Sequence, residues 1–124
     1  MKIKESAENY LEAILMLKAK NGSVRSIDIA NYLNFTKPSV SVAMKSFREE
    51  GYITVDDAGS ISLTDKGKEI AEKMYERHQI IALALIALGV DEAIAYEDSC
   101  KIEHDISSES FEAIKAYLKK RHVL

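Results

Sequence analysis

The sequence predicts a mainly α-helical fold interrupted by one small β-hairpin, on three observations. Apolar residues recur at helical spacing along most of the 124 residues, the period falls to two only between Tyr52 and Leu63, and helix breakers are sparse, with one proline and five glycines. Apolar residues at 47% and charged residues at 30% exclude a disordered chain and suffice for a compact core. A net charge of -3 gives no bulk attraction to nucleic acid or to an anionic membrane, so any DNA affinity has to be local. The single Cys100 allows no intramolecular disulfide, which makes the cytoplasm the expected compartment. The polar stretch from Lys2 to Asn9 lacks the apolar run of a signal peptide, and the most apolar stretch, Ile80 to Leu88, is about half of the ~20 residues that cross a bilayer. No membrane partner is expected, and residues 80–88 read as a helix buried on all sides.

Taken in order, Tyr10, Leu11, Ile14, Leu15 and Leu17 stripe a first helix over about residues 4 to 20, closed by Asn21-Gly22. Ser26 is the expected cap of a short second helix carrying Ile27, Ile29, Ala30 and Leu33, with Asn34-Phe35 turning out of it. Thr36 caps a third helix over 37 to 49, with Pro38 in its first turn, where a missing N–H costs nothing. Val40, Ala43, Met44 and Phe47 line one face of that helix until Gly51. The segments 52–55 and 60–63 alternate around the polar tip Asp56-Asp-Ala-Gly59 as a hairpin. Thr64 caps a long helix from Asp65 to Leu88 that stops at Gly89, and Ser107 or Ser108 caps a last helix with Phe111, Ile114, Tyr117 and Leu118 on one face.

Helix, helix, turn, helix and hairpin is the order of a winged helix-turn-helix, whose second motif helix enters the major groove of DNA. With the apolar face of the third helix turned inward, Lys37, Ser39, Ser41, Val42, Lys45, Ser46 and Arg48 face outward, and Thr36 and Pro38 stand at its start. Short hydroxyls reach base edges or phosphates, while Lys and Arg supply the counterion-releasing contacts that dominate affinity. Such a face alone describes any solvated helix; the ordered elements around it favour DNA. Asp56 and Asp57 would repel phosphate, so the wing is expected to contribute little there.

Residues 91–112 hold eight acidic side chains and one lysine, net -7, yet also contain Cys100 and His104. Cys100, Glu103 and His104 stand at i, i+3 and i+4, which sets thiol, carboxylate and imidazole on one helix face. That donor set suits Fe(II), Mn(II), Co(II) or Zn(II) better than Ca(II) or Mg(II). His78 and the Asn9, Glu12 pair are the candidates for completing the shell.

Several stretches together resemble the metal-dependent repressors of the diphtheria toxin repressor type, including the shorter manganese transport regulators: Glu8-Asn-Tyr-Leu-Glu12, Asp28-Ile-Ala30, Pro38-Ser-Val40, Leu63-Thr-Asp-Lys-Gly67, Arg77-His78, Gly89-Val-Asp91 and Ile102-Glu-His104. The resemblance covers nearly the whole chain. It implies an N-terminal winged helix-turn-helix (three helices plus a two-stranded wing) over 1–70 and a helical metal-binding and dimerisation domain over 71–124, without the SH3-like third domain of longer members. It also implies a divalent transition metal (Mn2+ or Fe2+, with Co2+ or Zn2+ as alternatives) and repression of metal-homeostasis genes from a palindromic operator. Glu12, His78, Glu103 and His104 match ligand positions of the manganese-type members, where Asn9 replaces an aspartate and Cys100 a glutamate. Cys100, Glu103 and His104 are similar to the primary site of the iron-type members, whose N-terminal ligand is a methionine where this chain has Asn9. At the iron-type ancillary site His78 remains, while Ala82 and Tyr96 stand in for a glutamate and a histidine.

The apolar residues from Ile80 to Leu88 exceed what one side of a small monomer buries, which points independently to a homodimer. Two other classes compete. A winged-helix regulator unresponsive to metal would use Cys100 as a buried or redox-sensing thiol. A small metallohydrolase is disfavoured because no HExxH helix or phosphate-cradling glycine loop accompanies the ligands, and no small-molecule substrate is expected.

Overall fold

The computed structural model describes the chain from Glu5 onward, with side chains from Ser6, so the expected start of the first helix at Lys4 lies outside the described residues. Six helices and one two-stranded antiparallel sheet follow in the order α1 (Glu5–Asn21), α2 (Ser26–Leu33), α3 (Lys37–Glu49), β1 (Ile53–Val55), β2 (Ile61–Leu63), α4 (Asp65–Ala87), α5 (Glu92–Asp105) and α6 (Ser108–Lys120). This is the mainly α architecture with a winged helix-turn-helix that the sequence predicts. The chain divides into two compact units within α4, one ending at Glu72 and the other running from Lys73 to Leu124.

In the first unit, Leu11, Ile14, Val24, Ile29, Val40, Ile53 and Ile61 form a fully buried centre. Tyr10, Phe47 and Tyr52 close it through edge-on ring contacts at 5.8 and 6.2 Å. The start of α3 is as expected: the Thr36 hydroxyl accepts from the Ser39 N–H at 3.3 Å. Its end is Gly51, whose φ of +81° turns the chain into β1 at no Cβ cost. The cap of α2 differs from expectation. Ser26 is already helical, and Arg25 holds the cap position with its N–H donated to the Asp28 carboxylate at 2.9 Å. A carboxylate reaching back from the first turn satisfies an orphan donor at the helix start, as a serine would from the other side. In the hairpin Ile53 pairs with Leu63 and Val55 with Ile61, while the Asp56 carboxylate accepts from the Ala58 and Ser60 N–H groups and fixes the tip.

In the second unit, Ile80, Ile81, Phe111 and Leu118 form the core, with Leu83, Leu85, Ile106 and Ile114 half-buried against it. Of the two expected caps Ser107 is the one used, accepting from the Ser110 N–H at 3.1 Å, and Asp91 caps α5 through the Ala93 N–H. The expectation that residues 80–88 are buried on all sides is corrected: Leu83 to Ile86 are half-buried and Leu88 is 81% exposed. Two short helices cannot cover the whole circumference of a third. The uncovered side forms a groove of about 740 Å³ lined by Ile81, Leu85, Leu88, Ile114, Tyr117 and Val123. No described helix is long and apolar enough to cross a membrane.

Candidate functional site

Within the second unit, α4 and α5 bring four functional groups to one point. His78 is buried on α4, and its Nδ1 lies 2.9 Å from Ser99 Oγ, 3.1 Å from Glu103 Oε2 and 3.5 Å from Cys100 Sγ. The helical spacing of Ser99, Cys100 and Glu103 on α5 sets all three toward the same imidazole. Glu103 is fully buried, yet its Oε1 has no hydrogen-bond partner; His104 Nε2 stands 3.5 Å away, within ion-pair range but not hydrogen-bonded to it. A buried carboxylate oxygen without a hydrogen bond is costly, and a cation removes that cost.

The donors fit a borderline transition ion. His78 Nδ1 stands 3.1 Å from the Glu103 carboxylate and 3.5 Å from the Cys100 sulfur, so nitrogen, oxygen and sulfur donors of the kinds such ions take would meet at one point. The same contacts change the imidazole itself. The Cys100 sulfur and the Glu103 carboxylate at Nδ1 outweigh burial and push the His78 pKa up to about 10. Without a bound cation His78 is therefore an imidazolium at neutral pH. The sign of the pH dependence follows: its pairing stabilises the fold fully below the ordinary histidine value of 6.5 and ceases to do so as pH rises through about 10. An ion held by His78 would have to displace that proton, so apparent metal affinity is expected to rise about tenfold from pH 7 to pH 8. Competition titrations at the two pH values measure this, and equal affinities would contradict the protonated His78.

His78, Cys100, Glu103 and His104 are thus assembled in one unit, while Asn9 and Glu12 lie a turn apart on α1 of the other, Asn9 half-buried and Glu12 buried. Ala82 is buried on α4, and Tyr96 stacks beside His78 at 5.6 Å between ring centroids, its hydroxyl 3.5 Å from Gln79 Oε1. Two further residues at this centre give no sign of their role in the sequence. Ser99 carries no metal-ligand signature, and its place one turn before Glu103 is the sole hint. Arg77 is a buried arginine, visible in the sequence only as the neighbour of His78.

In the first unit, Thr36, Lys37, Pro38, Ser39, Ser41, Val42, Lys45 and Arg48 are all exposed, and Val42 is 70% so. Val40, Met44 and Phe47 anchor the opposite face of α3, so the helix presents its short hydroxyls and cations outward as expected. The Thr36 hydroxyl is engaged in capping, donating to Ser39 Oγ at 2.8 Å.

Residues 2–60 match the family model described as iron dependent repressor, N-terminal DNA binding domain, and residues 64–123 match iron dependent repressor, metal binding and dimerisation domain. The chain belongs to the iron-dependent repressor family. Among relatives of this repressor, the uncharacterized HTH-type transcriptional regulator MJ0568 of Methanocaldococcus jannaschii is 36% identical over 118 residues, 94% of each chain. The transcriptional regulator MntR of Salmonella typhimurium is 32% identical over 117 residues, 94% of this chain and 74% of that one. Among solved structures, the IdeR of T. acidophilum superposes with a TM-score of 0.83 at 22% identity, over 96% of this chain and 55% of that one, a likeness of fold. The manganese regulator SloR superposes at 0.78 with 25% identity, over the same shares. The repressor spans about half the length of those two.

Proposed function

We propose that the chain is a homodimeric metal-dependent repressor of metal-homeostasis genes, in which the centre around His78 controls how two α3 helices meet a palindromic operator. The observation that carries the metal role is the buried Glu103 carboxylate, with one oxygen lacking a hydrogen bond, beside an imidazole and a thiol. His78, Cys100, Glu103 and His104 are the proposed ligands of the helical metal-binding and dimerisation domain, 71–124. Glu12 and Asn9, from the DNA-binding domain 1–70, are added on the resemblance. The mixed sulfur, nitrogen and oxygen donors suit Fe(II), Mn(II), Co(II) or Zn(II) better than Ca(II) or Mg(II), and among these the resemblance favours Mn(II) or Fe(II). A bound divalent cation supplies the charge that offsets the Glu103 carboxylate and, on the resemblance, the Glu12 carboxylate brought to it. Holding those carboxylates in place then raises the population of dimers whose recognition helices match major grooves about 34 Å apart.

The outward residues of α3 divide by role: Lys37, Lys45 and Arg48 meet phosphate, and Ser39, Ser41 and Val42 face base edges. Lys45→Ala is expected to weaken binding of every duplex and to flatten the slope of log affinity against log salt by about one for each phosphate left without its lysine, about two in a dimer. An unchanged slope in salt titrations would show that Lys45 does not meet phosphate. The groove beside Leu88 is the proposed dimer face, and the repressor is assigned to the cytoplasm and to no catalytic role.

An anaerobic titration of the apo-protein with Mn(II), Fe(II), Co(II) and Zn(II), read as retention of duplexes selected from a randomised pool, tests the proposal. Metal-dependent retention of a palindrome supports it. Retention indifferent to every ion favours instead a metal-independent winged-helix regulator, for which the exposed Cys100 thiol beside His78 would be a redox sensor.

A further inference from the structure

Arg77, the residue before His78 on α4, is 6% exposed, and its guanidinium touches no carboxylate among the described residues. Nη1 donates to the main-chain carbonyls of Glu103 at 3.0 Å and Ile106 at 2.9 Å, and Nη2 donates to Ser108 Oγ at 3.2 Å. The guanidinium lies 5.4 Å from the centroid of the Phe111 ring, and Nε is buried without a hydrogen-bond partner. Carbonyls in the last turn of a helix lack intrahelical donors, and a cation there also meets the negative end of the helix dipole. Arg77 therefore caps the C-terminus of α5 and ties it to the first turn of α6.

We propose that Arg77 is a positioning residue of the metal centre, an inference that rests on the metal-binding reading above. Consecutive residues of α4 hold one residue of α5 from both ends: Arg77 grips the Glu103 carbonyl and His78 meets its carboxylate at 3.1 Å. That double hold fixes the rotation and height of α5 against α4, and with them the place of Cys100 one turn earlier. The chemistry of the choice is specific. An arginine paired with the Glu103 carboxylate would compete with a metal ion for the same charge, whereas one bound to its carbonyl leaves the carboxylate available. Simple packing would be served as well by an uncharged side chain of similar length, without a buried charge and an unpaired donor.

The test uses full-length apo-protein, titrated anaerobically with Co(II) and with Mn(II), with folding followed by circular dichroism. Arg77→Met is expected to fold and to bind both ions about 10- to 100-fold more weakly, the usual effect of losing an outer-shell partner, with a changed sulfur-to-cobalt absorption band. Arg77→Lys, which keeps the charge but not the fork that reaches two carbonyls, is expected to recover part of the loss. Lys115→Ala removes the 2.8 Å bond from α6 to Glu76 on α4 without touching the end of α5, and is expected to bind as wild type does. Wild-type affinity and an unchanged cobalt spectrum in Arg77→Met would overturn the assignment, as would an equal loss in Lys115→Ala. Should Arg77→Met fail to fold, Arg77→Lys decides: weaker binding supports the role and wild-type binding refutes it. Wild-type protein that binds neither ion overturns the metal centre itself, before any substitution is compared.

Discussion

Glu103→Gln is expected to lower metal affinity by at least about a hundredfold and to abolish metal-dependent DNA retention, while leaving the dimer intact. A ligand contributes more than the outer-shell partners whose loss costs about 10- to 100-fold, and glutamine removes the anionic donor while keeping the volume of a fully buried side chain. The substitution also takes away one of the two groups that hold the proton on His78, so the His78 pKa is expected to fall, while the Cys100 sulfur, the larger cause of its rise, stays in place. Calorimetric metal titration, gel filtration and the histidine titration by NMR give three separate readings. Full metal response in Glu103→Gln would mean that the centre lies elsewhere.

Gly67→Ala is expected to destabilise the first unit by about 3 kcal/mol, although alanine is the better helix former by about 1 kcal/mol. Gly67 lies in the first turn of α4, and a Cβ there would run into the carbonyl oxygen of Tyr52. That carbonyl cannot yield cheaply. It accepts from the Thr64 N–H at 3.0 Å, and the Tyr52 ring is packed edge-on against Phe47. The steric overlap with backbone therefore outweighs the propensity gain. Urea unfolding measures the outcome, and a stability equal to or above that of wild type would show that the hairpin and the start of α4 can shift apart.

Some elements are legible in the sequence because their determinants are local. The third helix is readable from Thr36, Pro38 and the Val40, Met44, Phe47 stripe, and the structure begins and ends it at the expected residues. The cap of α2 is not, because Ser26 and Asp28 can each relieve an orphan donor at a helix start and only the backbone geometry chooses between them. The apolar run from Ile80 suggests complete burial because periodicity records how much apolar surface a helix carries, and not what covers it. At the proposed metal centre, Cys100, Glu103 and His104 are joined by helical spacing, whereas the sequence offers His78 only as a candidate to complete the shell, because its meeting with them is a tertiary contact. Ser99 and Arg77 are silent for the same reason: a hydroxyl and a guanidinium acquire meaning here only from the atoms they reach across the unit.

The most direct test is one anaerobic Co(II) titration of the apo-protein followed at once by the sulfur-to-cobalt band and by retention of a selected duplex. The account predicts that both signals rise together and saturate at the same ratio of metal to chain. DNA retention that is complete before any cobalt is added, or that saturates without a sulfur-to-cobalt band, would contradict it.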